Sequence, residues 1–271
     1  MITVIKANGE KEPFSEEKVI HSIVRARIPK HIQDKTLAHV KQKIYDGIST
    51  EEIYRHILEF LDTSDQPYAK ARYSLKEAVM MLGPTGYPFE DYVAKLFETQ
   101  GYTTQVRQIL SGKCITHEID VIAEKDQTRA MIEAKFHNRV GIRSEVQTAL
   151  YTQARFQDIK EKNHLTESWL VTNTKTTDDA NAYAACMGMN VMSWNYPEGK
   201  SLRDLIEKTK LYPVTILSSL SQANKTELLN NRHVLCKRIN EDPTILNSLP
   251  ISKDERERTI AEAAFVCNGT A

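Results

Sequence analysis

In the stretch HEIDVIAEKDQTRAMIEAKF, residues 117–136, Asp120 lies in one apolar arm, and Glu133 and Lys135 lie in another. If 117–124 pairs with 129–136 across the turn EKDQTR, the three charged groups meet at one place. Glu133 and Lys135 are two residues apart and share a strand face, whereas Ile132, Ala134 and Phe136 face the other way. Two carboxylates offer hard oxygen ligands to Mg²⁺ or Mn²⁺, leaving positions for waters and a phosphate. Such a cation lowers the pKa of a bound water and neutralises charge in phosphoryl chemistry. A neighbouring ammonium orients the water and stabilises developing charge. Spacing alone also suits a half-exposed hairpin whose solvent face happens to carry Asp, Glu and Lys. The surroundings favour the chemical reading: the flanks are apolar, Glu90 stands on the preceding helix, and a glutamine-containing helix follows.

The elements that must hold these groups follow from periodicity and punctuation. FEDYVAKLFETQGY (89–102) predicts an amphipathic helix stopped by Gly101. TTQVRQIL, EIDVIAE and RAMIEAKF predict three strands, and Ser144 is placed to cap a helix running to about residue 161. SWLVTN (168–173) is a buried-type strand, Thr177 to Met187 a helix, NVMSW a strand and SLRDLIEKT a closing helix. This order predicts a mixed sheet with helices on both faces.

Gly83-Pro84-Thr85-Gly86-Tyr87-Pro88 is a cluster of helix breakers and marks a domain boundary. Before it, residues 1–83 open with ITVIKANGEKEPF, a hairpin turned at Asn8-Gly9. Ser15 caps a helix over VIHSIVRARI, and further helices are predicted near 34–46, 50–62 and 66–82. The central domain spans 87–210, LYPVT (211–215) reads as a linker, and 216–271 is a small all-α module. The fold class is therefore multidomain α/β: a small hairpin plus helices, an αβββαβ three-layer domain and a helical end.

Composition sets limits. The 271 residues are 41% hydrophobic and 27% charged, with 36 basic and 36 acidic side chains, so bulk charge points to no polyanionic partner and any basic surface is local. No apolar run is long enough to span a bilayer, and the N-terminus has no signal-peptide core. Cys114, Cys186, Cys236 and Cys267 are too scattered for a zinc ribbon and fit reduced thiols in a cytoplasmic protein.

With these residues laid out, the span 87–195 resembles the PD-(D/E)XK nuclease superfamily, in its Mrr-like restriction endonuclease branch. FEDYVAKLFETQGY matches the first helix, HEIDVIAE the Asp strand and IEAKF the ExK strand. The resemblance implies that Asp120 and Glu133 ligate the metal and Lys135 is the catalytic lysine. It also implies that Glu90 is the first-helix acid and Gln147 the helix glutamine, with Gln153 as a rival. Glu118 is a possible further ligand or a solvated strand residue, while His117 and His137 adjoin the site.

ITVIKANGEKEPFSEEKV, YDGISTEEI and YAKARYSLKEAV resemble the ATP-cone, a regulatory nucleotide-binding domain of ribonucleotide reductases and their repressor. The resemblance implies phosphate contacts from Lys6 and Lys18, and further nucleotide contacts from Glu12, Ser15, Thr50 and Tyr54. This chain departs from the family at Lys6-Ala7, where Lys-Arg is common, and at Tyr54, where His is frequent. No GxxxxGK[ST] motif occurs, so ATP or dATP would serve as a ligand rather than a fuel. LPISKDERERTI resembles weakly a helix-hairpin-helix that grips a DNA backbone; a plain helical cap or dimerisation unit suits it equally. Together the resemblances imply a Mg²⁺-dependent endonuclease acting on DNA, regulated by nucleotide and homo-oligomeric. The alternative is a nucleotide-sensing DNA-binding regulator on a nuclease-like platform.

Overall fold

The computed structural model describes residues 2–26, 28–64, 69–139 and 141–268. At the N-terminus β1 (Thr3–Ile5) and β2 (Lys11–Pro13) form the expected antiparallel hairpin, turned where Gly9 takes a φ of 84°. Ser15 Oγ accepts from Lys18 N at 3.2 Å and starts α1 (Glu16–Arg25). α2 (Lys30–Lys43) starts earlier than expected, directly after Pro29. α3 (Thr50–Asp62) is capped by Ser49.

One strand was not foreseen. β3 (Ile48–Ser49) pairs parallel with β1 and completes a sheet of order β2-β1-β3. Two residues are too few to show an alternating pattern. The helix expected over 66–82 is two pieces, α4 (Ala69–Tyr73) and α5 (Leu75–Met80); its residues 66–68 lie outside the described residues. The break falls at Ser74, whose hydroxyl donates to the Ala71 carbonyl at 3.0 Å and competes with the helix ladder. Val4, Ile23, Ile32, Ile48, Ile57 and Leu61 form this region's own core.

The central domain runs α6 (Tyr87–Glu98), β4 (Thr103–Ser111), β5 (Thr116–Lys125), β6 (Thr128–Lys135), β7 (Arg143–Ser144) and α7 (Val146–Ile159). It continues with β8 (Glu167–Thr172), β9 (Lys175–Thr176), α8 (Asp178–Cys186), β10 (Asn190–Met192) and α9 (Leu202–Thr209). The sheet has order β10-β8-β6-β5-β4, antiparallel from β4 to β6 and parallel from β6 to β10, as expected of a mixed sheet. β7 and β9 form a separate ribbon that the sequence did not announce. Ser144 belongs to β7 and is not the cap of α7: its hydroxyl bonds to Thr172 and His137, and Glu145 takes the N-cap position.

The ladder is interrupted around Asp120. The expected register of β5 on β6 holds from Val121↔Ile132 to Lys125↔Thr128, with Asp126 at φ 51° in the turn, and pairing stops at Val121. Between β4 and β5, Val106 pairs with Val121 and Gln108 with Ile119. Arg107, across from Asp120, has a φ of 53°, a strained left-handed backbone for a long side chain. One consequence is a change of facing along β5. Val121 and Ala123 pack with Phe89, Val93 and Phe97 of α6, whereas Ile119 and Ile122 pack with Phe156 and Ile159 of α7.

The C-terminal part contains α10 (Gln222–Asn230), α11 (Lys237–Glu241) and α12 (Lys253–Asn268), with 3-10 turns at 214–216 and 243–248. LYPVT is not an exposed linker. Leu211, Tyr212, Val214 and Thr215 are buried; Tyr92 Oη donates to the Leu211 carbonyl at 2.7 Å, and Thr215 Oγ1 donates to the Ala78 carbonyl at 2.5 Å. One apolar cluster joins Leu75, Val79 and Leu82 to Phe89 and Ile132, and onward to Leu228, Ile239 and Val266.

The breaker cluster has a packing reason as well. A Cβ on Gly83 would stand 2.5 Å from Phe136 Cε1, and that ring lies 5.6 Å from Phe89. Gly83→Ala is therefore expected to destabilise the protein by about 1–3 kcal/mol through overpacking. Thermal denaturation followed by circular dichroism checks this, and an unchanged midpoint contradicts it.

Candidate active site and nucleotide cavity

The interrupted ladder gathers three acids. Glu90, in the first turn of α6, is 8% exposed. Arg107 donates to Glu90 Oε2 at 3.1 Å and to Asp91 Oδ1 at 2.7 Å, with its guanidinium 5.4 Å from the centre of the Tyr87 ring. Asp120 turns into the gap between β5 and β6, where Oδ2 accepts from the Ala134 N–H at 2.7 Å. Glu133 points to the α7 side of the sheet and is held through Oε2 by Arg155, which also donates to the Glu118 carbonyl. Lys135 is exposed two residues further along β6.

These carboxyls are short of compensation. Burial pushes Glu133 up to about 7, and the charge of Asp120 adds to the effect. Burial likewise raises Asp120, and burial followed by Asp120 raises Glu90. A partly buried set of hard oxygen donors with excess negative charge fits a divalent cation, and perturbed acids of this kind cluster at functional sites. Asp120 and Glu133 are the donors available to it. Among the described residues no three His, Cys, Asp or Glu side chains form a group that could hold a metal ion; Arg155 holds Glu133 and the β6 backbone holds Asp120.

The other candidates divide. Gln147 is exposed in the first turn of α7. Gln153 is buried and accepts from Ser168 Oγ at 3.3 Å, turned into the core. The Glu118 side chain is exposed. His117 Nε2 lies 2.9 Å from Asp158 Oδ2, and Asp158 also accepts from the Cys114 N–H at 2.8 Å, so His117 pins the β4–β5 turn to α7. His137 Nε2 lies 2.9 Å from Ser144 Oγ, and its N–H donates to Asn173 Oδ1 at 2.8 Å, which ties down the connection after β6.

Sequence reasoning missed Arg107 and Arg155. A signal existed for the second: Thr152, Gln153 and Arg155 fall on the buried side of α7 with Ala149, Phe156 and Ile159, and polar groups there need partners. Arg107 lies in an ordinary strand pattern, and nothing in that pattern announces its left-handed backbone.

In the N-terminal domain, Glu12, Ser15, Lys18, Thr50 and Tyr54 line one cavity of about 270 Å³. Lys6 is absent from its wall but bonds to Glu12 at 3.1 Å and to Glu10 at 3.3 Å. Lys18 Nζ also reaches Glu12, at 2.7 Å. Tyr54 stacks on Tyr73 at 5.3 Å and donates to Glu77 Oε2 at 3.2 Å. The cavity thus offers a cation, a helix N-terminus and an aromatic wall. Ala7 stands at a close approach between domains: a Cβ on Gly141, in the connection after β6, would lie 3.6 Å from Ala7 Cβ.

The fold is that of a restriction-endonuclease-like domain that carries a separate small α+β domain at its N-terminus. Family comparison agrees: residues 83–199 match the restriction endonuclease family of Mrr catalytic type, and 2–78 match the ATP cone domain. Residues 212–267 match the family described as AF1548-like, C-terminal. An uncharacterised protein of Archaeoglobus fulgidus is 38% identical over 175 residues, which are 64% of this chain and 99% of the relative. The crystal structure of AF1548, a protein of unknown function, superposes with a TM-score of 0.60 at 36% identity, over 69% of this chain and 100% of that one. The complex of MspJI restriction endonuclease with a 27-mer oligonucleotide aligns at 10% identity and TM-score 0.37, over 70% of this chain and 40% of that one. The chain belongs to the family of the Archaeoglobus fulgidus protein and AF1548, and it carries an ATP cone in addition. No helix among the described residues is long and apolar enough to cross a membrane.

Proposed function

We propose that this protein is a divalent-metal-dependent DNA endonuclease whose activity is set by a nucleotide bound in the N-terminal cavity. The observation that carries the reading is the nearness of Glu90, Asp120 and Glu133, close enough to raise one another's carboxyls, with Lys135 within electrostatic reach of Asp120 and Glu133, where the ladder opens around Asp120. Mg²⁺ held by Asp120 and Glu133 would supply an acidified water and charge neutralisation at a phosphate. The chain's own groups do the rest. Lys135, exposed at the mouth, binds the phosphate and orients the attacking water. Glu90, clamped by Arg107, adds negative charge that favours the cation. Gln147, exposed at the start of α7, contacts the sugar-phosphate backbone in this reading.

The test is incubation with supercoiled, methylated and branched DNA in Mg²⁺ or Mn²⁺, with and without ATP. Metal-dependent nicks that disappear in Lys135→Met support the enzyme. DNA binding with no product under any condition supports instead a nucleotide-sensing regulator built on the same fold.

For the cone, an arriving triphosphate competes with Glu12 for Lys6 and Lys18. Lys18→Ala removes a charge-assisted contact of about 1.5–3 kcal/mol, so ATP and dATP affinity is expected to fall about 10- to 100-fold. Isothermal titration calorimetry reads it, and equal affinities would remove Lys18 from the site. Nucleotide acts, in this reading, by changing a homo-oligomer, which size-exclusion profiles with ATP, dATP and neither ligand would register.

A further inference from the structure

Arg155 is the least expected member of the site. It is 8% exposed, and its guanidinium is shared between the Glu133 carboxylate and the Glu118 carbonyl. Its Nε is buried with no hydrogen-bond partner. A buried donor left unmatched costs about 1–3 kcal/mol, so the guanidinium sits where one of its own groups is unsatisfied. What holds it there is the Glu118 carbonyl together with Glu133, the carboxylate that the nuclease reading assigns to the metal. Solvent is close by: Arg155 lies 5.3 Å from the centre of the Tyr151 ring, and Tyr151 is 61% exposed. Arg107 presents a contrast: it binds Glu90 and Asp91 and contacts neither Asp120 nor Glu133.

We propose that Arg155 is a stand-in cation, a positioning residue that neutralises Glu133 in the metal-free protein and gives it up to the divalent ion, then turns outward past Tyr151 to bind a DNA phosphate. This rests on the nuclease reading and adds an order of events: metal binding and DNA binding are coupled through one side chain. Two opposite effects follow for a variant lacking the charge. The metal, relieved of a competitor, binds more tightly; DNA, deprived of a cation, binds less tightly when metal is present.

The experiment is calorimetric titration of Mn²⁺ alone into wild type, Arg155→Met and Arg155→Lys. A second measurement follows the anisotropy of a labelled oligonucleotide with and without Ca²⁺. Arg155→Met is expected to bind Mn²⁺ about tenfold more tightly, within the usual 5- to 150-fold span of coupled sites, and to lose the Ca²⁺-induced gain in DNA affinity. Arg155→Lys keeps the charge with a single-point contact and should fall between the two, so it carries the test if the methionine variant does not fold. Unchanged or weaker Mn²⁺ binding in both variants overturns the exchange and leaves the nuclease reading standing. No Mn²⁺ binding by the wild type overturns both.

Discussion

Asp120→Asn is expected to lower metal-dependent DNA hydrolysis by about a thousandfold or more. The substitution keeps the side chain's shape and one oxygen that can accept from the Ala134 N–H, so the hairpin is not disturbed. It removes one of two charged ligands from the cation, and a bound metal supplies several kcal/mol of transition-state stabilisation, each ~1.4 kcal/mol being a factor of ten. A second readout separates this role from structural damage. Glu133 titrates near 7 chiefly because it is buried and also because Asp120 is beside it. Its carboxyl therefore holds a proton below that pH, and an incoming cation must displace it. Metal affinity in the wild type should climb as pH rises through about 7 and level off above it. With Asp120 neutral the repulsion is gone, Glu133 loses its proton at lower pH, and the climb moves to lower pH. Calorimetric Mn²⁺ titrations on either side of neutrality measure this, together with nicking rates. An Asp120→Asn enzyme that cuts at the wild-type rate would exclude the proposed centre.

The second large effect lies far from the site. Glu262 of α12 is fully buried, and its carboxylate accepts from the Ser218 N–H and hydroxyl at 2.7 Å and from the Ser219 N–H at 2.8 Å. Nearby Lys225 has its ammonium disfavoured by burial and supported by the charge of Glu262. Glu262→Ala strands two backbone donors and leaves that ammonium with the weaker support of Glu77. The expected cost is about 3–5 kcal/mol, equivalent to a fall in melting temperature of roughly 6–20 °C for a unit of this size. Glu262→Gln, which keeps an acceptor, should fall by about half as much. Because the C-terminal helices share their core with the sheet, cleavage should be lost at the same temperature as the helices. Differential scanning calorimetry with a parallel activity assay decides it; a melting temperature within a degree or two of wild type would mean that α12 does not hold the sheet.

The elements were legible wherever local pattern and local chemistry agreed. The alternation of Ile132, Ala134 and Phe136 against Glu133 and Lys135 gave the facing of β6, and Asn8-Gly9 gave the first turn. The cavity side chains Glu12, Ser15, Lys18, Thr50 and Tyr54 were legible through family resemblance, and they do surround one space. What stayed hidden depends on contacts distant in sequence. β3 is a strand only because β1 lies beside it. LYPVT resembles a connector because its proline and tyrosine suit one, yet Tyr92 and Ala78 draw it inside. Ser144 has the chemistry of a cap but was claimed by His137 and Thr172. The opening of the ladder at Asp120 coincides with the left-handed backbone of Arg107 and with the Asp120 side chain taking the Ala134 N–H, states that one residue's identity does not encode.

The short helix α4 serves two cores. Ala69 and Tyr73 pack into the first, whereas Ala71 and, one turn on, Leu75 pack into the second. Between them Arg72 donates to the Phe265 carbonyl at 3.0 Å and lies 4.4 Å from the centre of that ring, which belongs to α12. For shortening this chain the consequence is plain. A truncation at Gly83 would remove Leu75, Val79 and Leu82 from the apolar cluster that also holds Phe89, Ile132 and Val266, whereas one that begins at Ala69 would keep them. Within this chain the cleaner place to cut lies upstream of α4, before the helix that both cores share.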